Sequence, residues 1–155
     1  MKNVIVLSIK PEYMELILKG QKSIELRKCR PAISEKENLI VALYCTAPVK
    51  AVVGFCFLVE LIEDTPKSIW NKFSDFVGID KGTFFQYYST NQKAFGLKLE
   101  KVYELSKSLP LNEIRKKVPN FSPPQTYRYY DLEFLKEKFN SILKEESQNG
   151  RKSFA

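Results

Sequence analysis

Three short stretches of this chain carry residue types that could do chemistry together. In Gly20-Gln21-Lys22-Ser23-Ile24-Glu25-Leu26-Arg27 a turn glycine is followed by an ammonium, a carboxylate and a guanidinium. If the segment is an alternating strand, Ile24 and Leu26 face one way and Ser23, Glu25 and Arg27 the other. Arginine grips phosphate or a base edge through parallel N–H groups, and glutamate orients a donor on a nucleobase. The same pattern also describes a solvated strand face with a surface ion pair. The second stretch, Tyr44-Cys45-Thr46-Ala47-Pro48-Val49-Lys50, joins a strand end to the next strand through a proline turn. Tyr44 would stack on a base and Lys50 would meet a phosphate, as in proteins that bind single strands. Its alternative is a rim tyrosine and an ordinary surface lysine. The third, Pro123-Pro124-Gln125-Thr126-Tyr127-Arg128-Tyr129-Tyr130, offers an amide, a hydroxyl and a guanidinium in Gln125, Thr126 and Arg128, with Tyr129 or Tyr130 closing a core. Glu60, in the apolar run from Phe55 to Ile62, sits either at an exposed strand end or facing a pocket, and joins the candidate ligand-binding groups.

The residues that are missing narrow the chemistry. The 155-residue chain has no histidine, which removes Ser-His-Asp and Cys-His catalysis and histidine-based zinc sites. A general base has to be Glu, Asp, Lys, Tyr or Cys. Cys29, Cys45 and Cys56 are odd in number and lack CxxC spacing, so neither a disulfide framework nor a structural metal is expected. There is no GxGxxG and no GxxxxGK[ST], and no cofactor is implied. No apolar run reaches membrane-spanning length, and the N-terminal run before Lys10-Pro11 is too short for a signal peptide. The expectation is a cytoplasmic protein with no membrane partner. A net charge of +7 favours an anionic partner, RNA or a nucleotide-like ligand.

The elements that must position these groups follow from periodicity. Val4 to Ile9 reads as a buried strand, and Pro11 opens a helix that Gly20 stops. Gln21 to Lys28 alternates as a half-buried strand. Leu39 to Thr46 and Val49 to Ile62 are longer strands, with Gly54 marking a bend or bulge. Thr65-Pro66 caps a helix carrying Ile69, Trp70 and Phe73, and a second helix begins near Asp80 with Phe84, Phe85 and Tyr88. A strand runs from Lys93 to about Leu105, and Pro110 to Lys117 holds a short helix. Residues 119–130 form an extended docked strap. Asp131 caps a last helix striped by Leu132, Leu135, Phe139, Ile142 and Leu143. Residues 1–146 make one domain and 147–155 a disordered polar tail. This order predicts an α+β fold around a β-barrel-like sheet of about five to six strands, with short helices around it and a C-terminal helix.

Taken in order, Leu7-Ser8-Ile9-Lys10-Pro11-x-Tyr13, the glycine-lysine-glutamate-arginine set Gly20, Lys22, Glu25, Arg27, the Tyr44 to Gly54 segment, and Pro123-Pro124-Gln125-Thr126-Tyr127-Arg128-Tyr129 resemble the ASCH domain family of the PUA-like fold. The likeness spans about residues 4 to 130. It implies a β-barrel with a cleft where these charged residues converge, and an association with RNA. The leading expectation is an RNA-binding module that takes single-stranded RNA or an unpaired base into a basic cleft through Lys22, Glu25, Arg27, Gln125, Arg128 and Glu60. The alternative is a metal-independent ribonuclease in the same cleft, with Tyr44, Lys50 and Thr126 as catalytic candidates. An amidohydrolase of acetylated cytidine, with Lys22 and Glu60 as base and proton shuttle, ranks lower, because relatives of that branch carry a hydroxyl residue where Glu25 stands. A protein adaptor would use the aromatics of Phe84 to Tyr88.

Overall fold

The computed structural model describes residues 3–33 and 39–153. Strand β1 (Val4–Ile9) is buried along its whole length, as a strand covered on both faces must be. It pairs in parallel with β3 (Leu39–Cys45) and antiparallel with β6 (Tyr127–Tyr130). Strand β4 (Ala51–Asp64) continues antiparallel from β3 into β5 (Ala94–Pro110), and β2 (Ile24–Arg27) closes the row on the far side. The order β2-β5-β4-β3-β1-β6 is a mixed six-stranded sheet curled into a half-barrel. Its terminal strands do not pair with each other, so the expected barrel is left open between two four-residue edges.

Helix α1 (Pro11–Leu18) starts on Pro11, whose missing N–H needs no partner there, and its exit passes through Gly20 at φ 77°. Thr65 caps α2 (Pro66–Phe73) by accepting from the Ser68 amide at 3.1 Å, and Asp80 caps α3 (Lys81–Tyr88) by accepting from the Thr83 amide at 2.8 Å. A 3-10 turn, Ser74–Phe76, joins these two helices to the edge of β2 through the Ser23 amide, which donates to the Phe76 carbonyl. Helix α4 (Leu111–Lys117) follows β5 directly, and α5 (Glu133–Ser153) follows β6.

Three apolar clusters result. Ile5, Leu7, Met14, Ile17, Leu43 and Leu97 pack on the α1 face. Val6, Tyr44, Phe55, Ile114, Leu135 and Phe139 pack under α4 and α5. Ile24, Ile69, Phe84 and Tyr88 form a distal cluster under α2 and α3. The bulge expected at Gly54 is present: the register shifts there, and a Cβ on Gly54 would lie 2.6 Å from the Tyr103 carbonyl oxygen.

Four boundaries differ from the sequence reading. Strand β4 starts at Ala51, because Lys50 sits at φ 50° at the end of the turn that holds the cis Ala47-Pro48 peptide. Strand β5 extends to Pro110, its polar second half held by pairing of Val52 with Leu109 and Ala51 with Pro110. The strap ends in a true strand, β6. Helical backbone continues past Glu146 to Ser153, where a disordered tail was expected. No proline interrupts that stretch, and its single Gly150 costs only about 1 kcal/mol in a helix.

Candidate functional site

A pocket of about 370 Å³ opens where the C-terminal end of β1, the start of α1, strand β2 and helix α3 meet. Lys22, Glu25, Arg27 and Gln125 line it, joined by Ser8, Lys10, Tyr13, Thr46, Thr83 and Tyr87. Glu25 and Arg27 reach it because alternation along β2 buries Ile24 and Leu26 in the distal cluster and turns their neighbours outward.

Lys22 is 4% exposed. Its Nζ donates to the Val77 carbonyl at 2.6 Å, lies 3.9 Å from Glu25 Oε2, and stands 5.7 Å from the centre of the Tyr13 ring. Burial pulls the Lys22 ammonium below the usual lysine range, with Glu25 working against that shift and Arg27 adding to it. Gly78 permits the placement. At φ 69° it adopts a backbone that favours glycine, and a Cβ there would come within 2.9 Å of Lys22 Cβ.

Arg27 Nη2 approaches Glu25 Oε1 at 3.4 Å, and both side chains are largely buried. Glu25 Oε2 and Arg27 Nε and Nη2 are buried and have no hydrogen-bond partner within the protein. An unmet buried polar group costs about 1–3 kcal/mol, so these three atoms beside one pocket are open to a hydrogen bond from solvent or from another molecule. With Lys10, Lys22 and Arg27 against Glu25, the lining is cationic overall yet keeps one carboxylate.

The remaining sequence candidates lie elsewhere. Tyr44 is 3% exposed and packs with Val52, Phe55, Ile114 and Phe121, on the face opposite to α1. Burial pushes its phenol up, and Arg115 of α4 works against that shift. Lys50 is exposed beside α4, its carbonyl accepting from the Leu111 amide. Thr126 and Arg128 are exposed, and Arg128 lies over the Tyr130 ring at 5.5 Å. Tyr44, Lys50, Thr126 and Arg128 are not among the residues lining the pocket. Glu60 is also outside it: its side chain is 58% exposed and faces Lys98 at 4.0 Å. The structure thus brings Lys22, Glu25, Arg27 and Gln125 together and puts the other candidates on different surfaces.

Ser8, Lys10 and Tyr13 belong to the first sequence motif but were not assigned a role from it. Arg115 had no sequence signal beyond its place in a helix, and Tyr87 was read only among the adaptor aromatics of Phe84 to Tyr88. Phe84 and Tyr88, read as adaptor aromatics, are buried, and only Tyr87 of that helix keeps a large exposed apolar surface. Among the described residues no group of three His, Cys, Asp or Glu side chains gathers as a metal site, and no helix is long and apolar enough to cross a membrane.

Comparison with known proteins places the family and the fold. The family model described as ASCH domain matches residues 7–106. An ASCH domain-containing ribonuclease from Zymomonas mobilis subsp. mobilis is 26% identical over 123 residues, which is 78% of this chain and 80% of the relative. The crystal structure of ASCH from Zymomonas mobilis superposes with a TM-score of 0.79 at 22% identity, covering 89% of this chain and 94% of that one. A tyrosine-to-phenylalanine mutant of the same protein gives the same score, covering 90% and 98%.

Proposed function

Because the chain belongs to the ASCH domain family, we propose that it binds RNA, drawing an unpaired base or nucleotide of a single strand into the Lys22-Glu25-Arg27 pocket. The observation that carries this reading is the buried Glu25-Arg27 ion pair, whose Oε2, Nε and Nη2 have no hydrogen-bond partner within the protein. A nucleobase edge presents a donor beside an acceptor, so it can satisfy the carboxylate and the guanidinium together. A bare phosphate offers acceptors only and would be repelled by Glu25. Tyr13 and Tyr87 supply ring surface at the same pocket. The unpaired cysteines suit a reducing, cytoplasmic setting.

The test is fluorescence anisotropy with a labelled single-stranded RNA and with the same RNA annealed to its complement. Single-strand binding should be the tighter, and Arg27→Ala should weaken it by tenfold or more on the order of a lost charged hydrogen bond. Equal binding of both forms, or an Arg27→Ala variant that binds like the parent, rejects the pocket as the site.

A ribonuclease activity is the second reading, favoured by the name of the Zymomonas relative. The candidates are Tyr44, Lys50 and Thr126, and the structure changes the part Tyr44 would play. A phenol raised by burial stays protonated, so it fits a hydrogen-bond donor to a phosphate oxygen and not a base. If the chain cleaves RNA, Tyr44→Phe should lower turnover in the presence of chelator while leaving binding intact. The amidohydrolase arrangement loses its shuttle, since Glu60 faces Lys98 on the surface.

A further inference from the structure

The Gln125–Arg128 stretch separates two surfaces that carry the same kind of chemistry. It is pinned from several directions: Ser8 Oγ donates to the Pro124 carbonyl at 2.6 Å, the Ser8 amide to the Thr126 carbonyl at 2.8 Å, and the Tyr130 hydroxyl to the Ser122 carbonyl at 2.9 Å. Side chains along it alternate. Gln125 lines the pocket and Tyr127 packs on the α1 face, whereas Tyr130 packs under α5 and Arg128 lies over the Tyr130 ring.

On that second side Arg115 of α4 acts on Tyr44, and Phe121, whose carbonyl it holds, packs against Tyr130 at 5.3 Å beneath Arg128. Arg115 Nε donates to the Phe121 carbonyl at 3.0 Å, which fixes the guanidinium while its other nitrogens remain for a ligand. Its helix begins against Lys50, whose carbonyl accepts from the Leu111 amide. Tyr44 is the register partner of Ser8, the residue that pins the strap and also lines the pocket. Lys50, Arg115, Thr126 and Arg128 are exposed, and no ion pair engages Lys50, Arg115 or Arg128 among the described residues.

We propose that the pocket and the Lys50-Arg115-Arg128 surface are two halves of one site for a short single strand of RNA: one base enters the pocket, and the adjoining backbone crosses the strap at Gln125-Thr126 onto the cationic surface. This rests on the RNA reading above and assigns its parts. Glu25 and Arg27 read the base, which is neutral and offers a donor beside acceptors. Lys50, Arg115 and Arg128 hold phosphates, which need only positive charge and geometry. Arg115 is the phosphate contact that no sequence motif indicated.

Anisotropy titrations of a labelled RNA octamer over a range of salt concentrations, with unlabelled nucleoside monophosphates as competitors, test the division. The octamer should bind far more tightly than any monophosphate. Arg115→Ala and Arg128→Ala should each lower affinity and reduce the salt slope by about 0.7, with base preference among homopolymeric octamers unchanged. Glu25→Gln should change base preference and leave the salt slope as it is. Thermal unfolding of each variant separates a lost contact from a lost fold, and Arg128, exposed on an edge strand, serves if Arg115→Ala loosens the strap. Monophosphates binding as tightly as the octamer, or both arginine variants binding with parental affinity and slope, overturn the two-part site while leaving the pocket reading intact. An octamer that does not bind the parent protein at all overturns both.

Discussion

Lys22 is the most deeply buried charged group of the pocket, and its burial makes it measurable. Its folded-state affinity for a proton is lowered, whereas in the unfolded chain it titrates near the ordinary 10.5. Between those two values the unfolded chain holds a proton that the folded chain has shed, so stability rises with pH across that window and the cost of the buried ammonium is fully present below it. A Lys22→Met variant lacks this dependence. The stability of Lys22→Met relative to the parent should therefore fall as pH is raised from about 8 toward the lysine range, read by urea unfolding of both proteins side by side. A difference that does not move with pH would mean that the ammonium is not buried as described. Gly78 gives the complementary experiment. Gly78→Ala forces an L side chain to φ 69° and against Lys22 Cβ, which should cost at least about 1 kcal/mol and weaken RNA binding through displacement of Lys22. Unchanged stability and binding would show that the Gly78 backbone is free to relax.

At the scale of elements, Phe139 anchors α5 on the sheet. The Phe139 ring stacks on Phe55 with centroids 5.1 Å apart and touches Phe57 at 5.1 Å and Tyr103 at 5.8 Å. Phe139→Ala should destabilise the fold by about 3–5 kcal/mol in chemical denaturation, and a loss below about 1 kcal/mol would show that α5 docks by other means. The element boundaries show what was readable beforehand. Thr65-Pro66 and Asp80 mark helix starts by capping chemistry that is local, so α2 and α3 were found from the sequence. The second half of β5 was missed because Glu104-Leu105-Ser106-Lys107-Ser108 carries little apolar signal and is a strand through its pairing with β4. The site was half legible for the same reason. Glu25 and Arg27 are grouped by alternation along β2, whereas Lys22 precedes the strand and is placed by its bond to the Val77 carbonyl. Tyr44 is covered by Ile114 of α4 and by Phe121 instead of opening into the pocket, and such packing between distant segments is a long-range property. Tyr87 was read as an adaptor aromatic and not as a pocket residue, because the packing of α3 beside β2 is likewise long-range.

For the whole molecule the half-barrel explains how two distinct surfaces serve one ligand. The sheet has cores on both faces, and the pocket lies where strands β1 and β3 end. The loops at the C-terminal ends of β1 and β3, together with the strap, border both the pocket and the cationic surface. A ligand that touches one is therefore close to the other.

The length of β4 and β5 has a consequence for cooperativity. Strand β4 contributes Cys56 and Leu58 to the first cluster, Val52 and Phe55 to the second and Ile62 to the third. Strand β5 contributes Leu97 and Leu99, then Tyr103 and Leu105, and Ala94 to the same three clusters. No cluster can melt without fraying a ribbon that the others share. Trp70, the single tryptophan, packs against the distal cluster and reports on it alone. Its fluorescence and the far-ultraviolet circular dichroism of the whole chain should therefore trace the same denaturation curve, with one midpoint. An earlier midpoint for the tryptophan signal would mean that the α2-α3 end opens as a unit of its own.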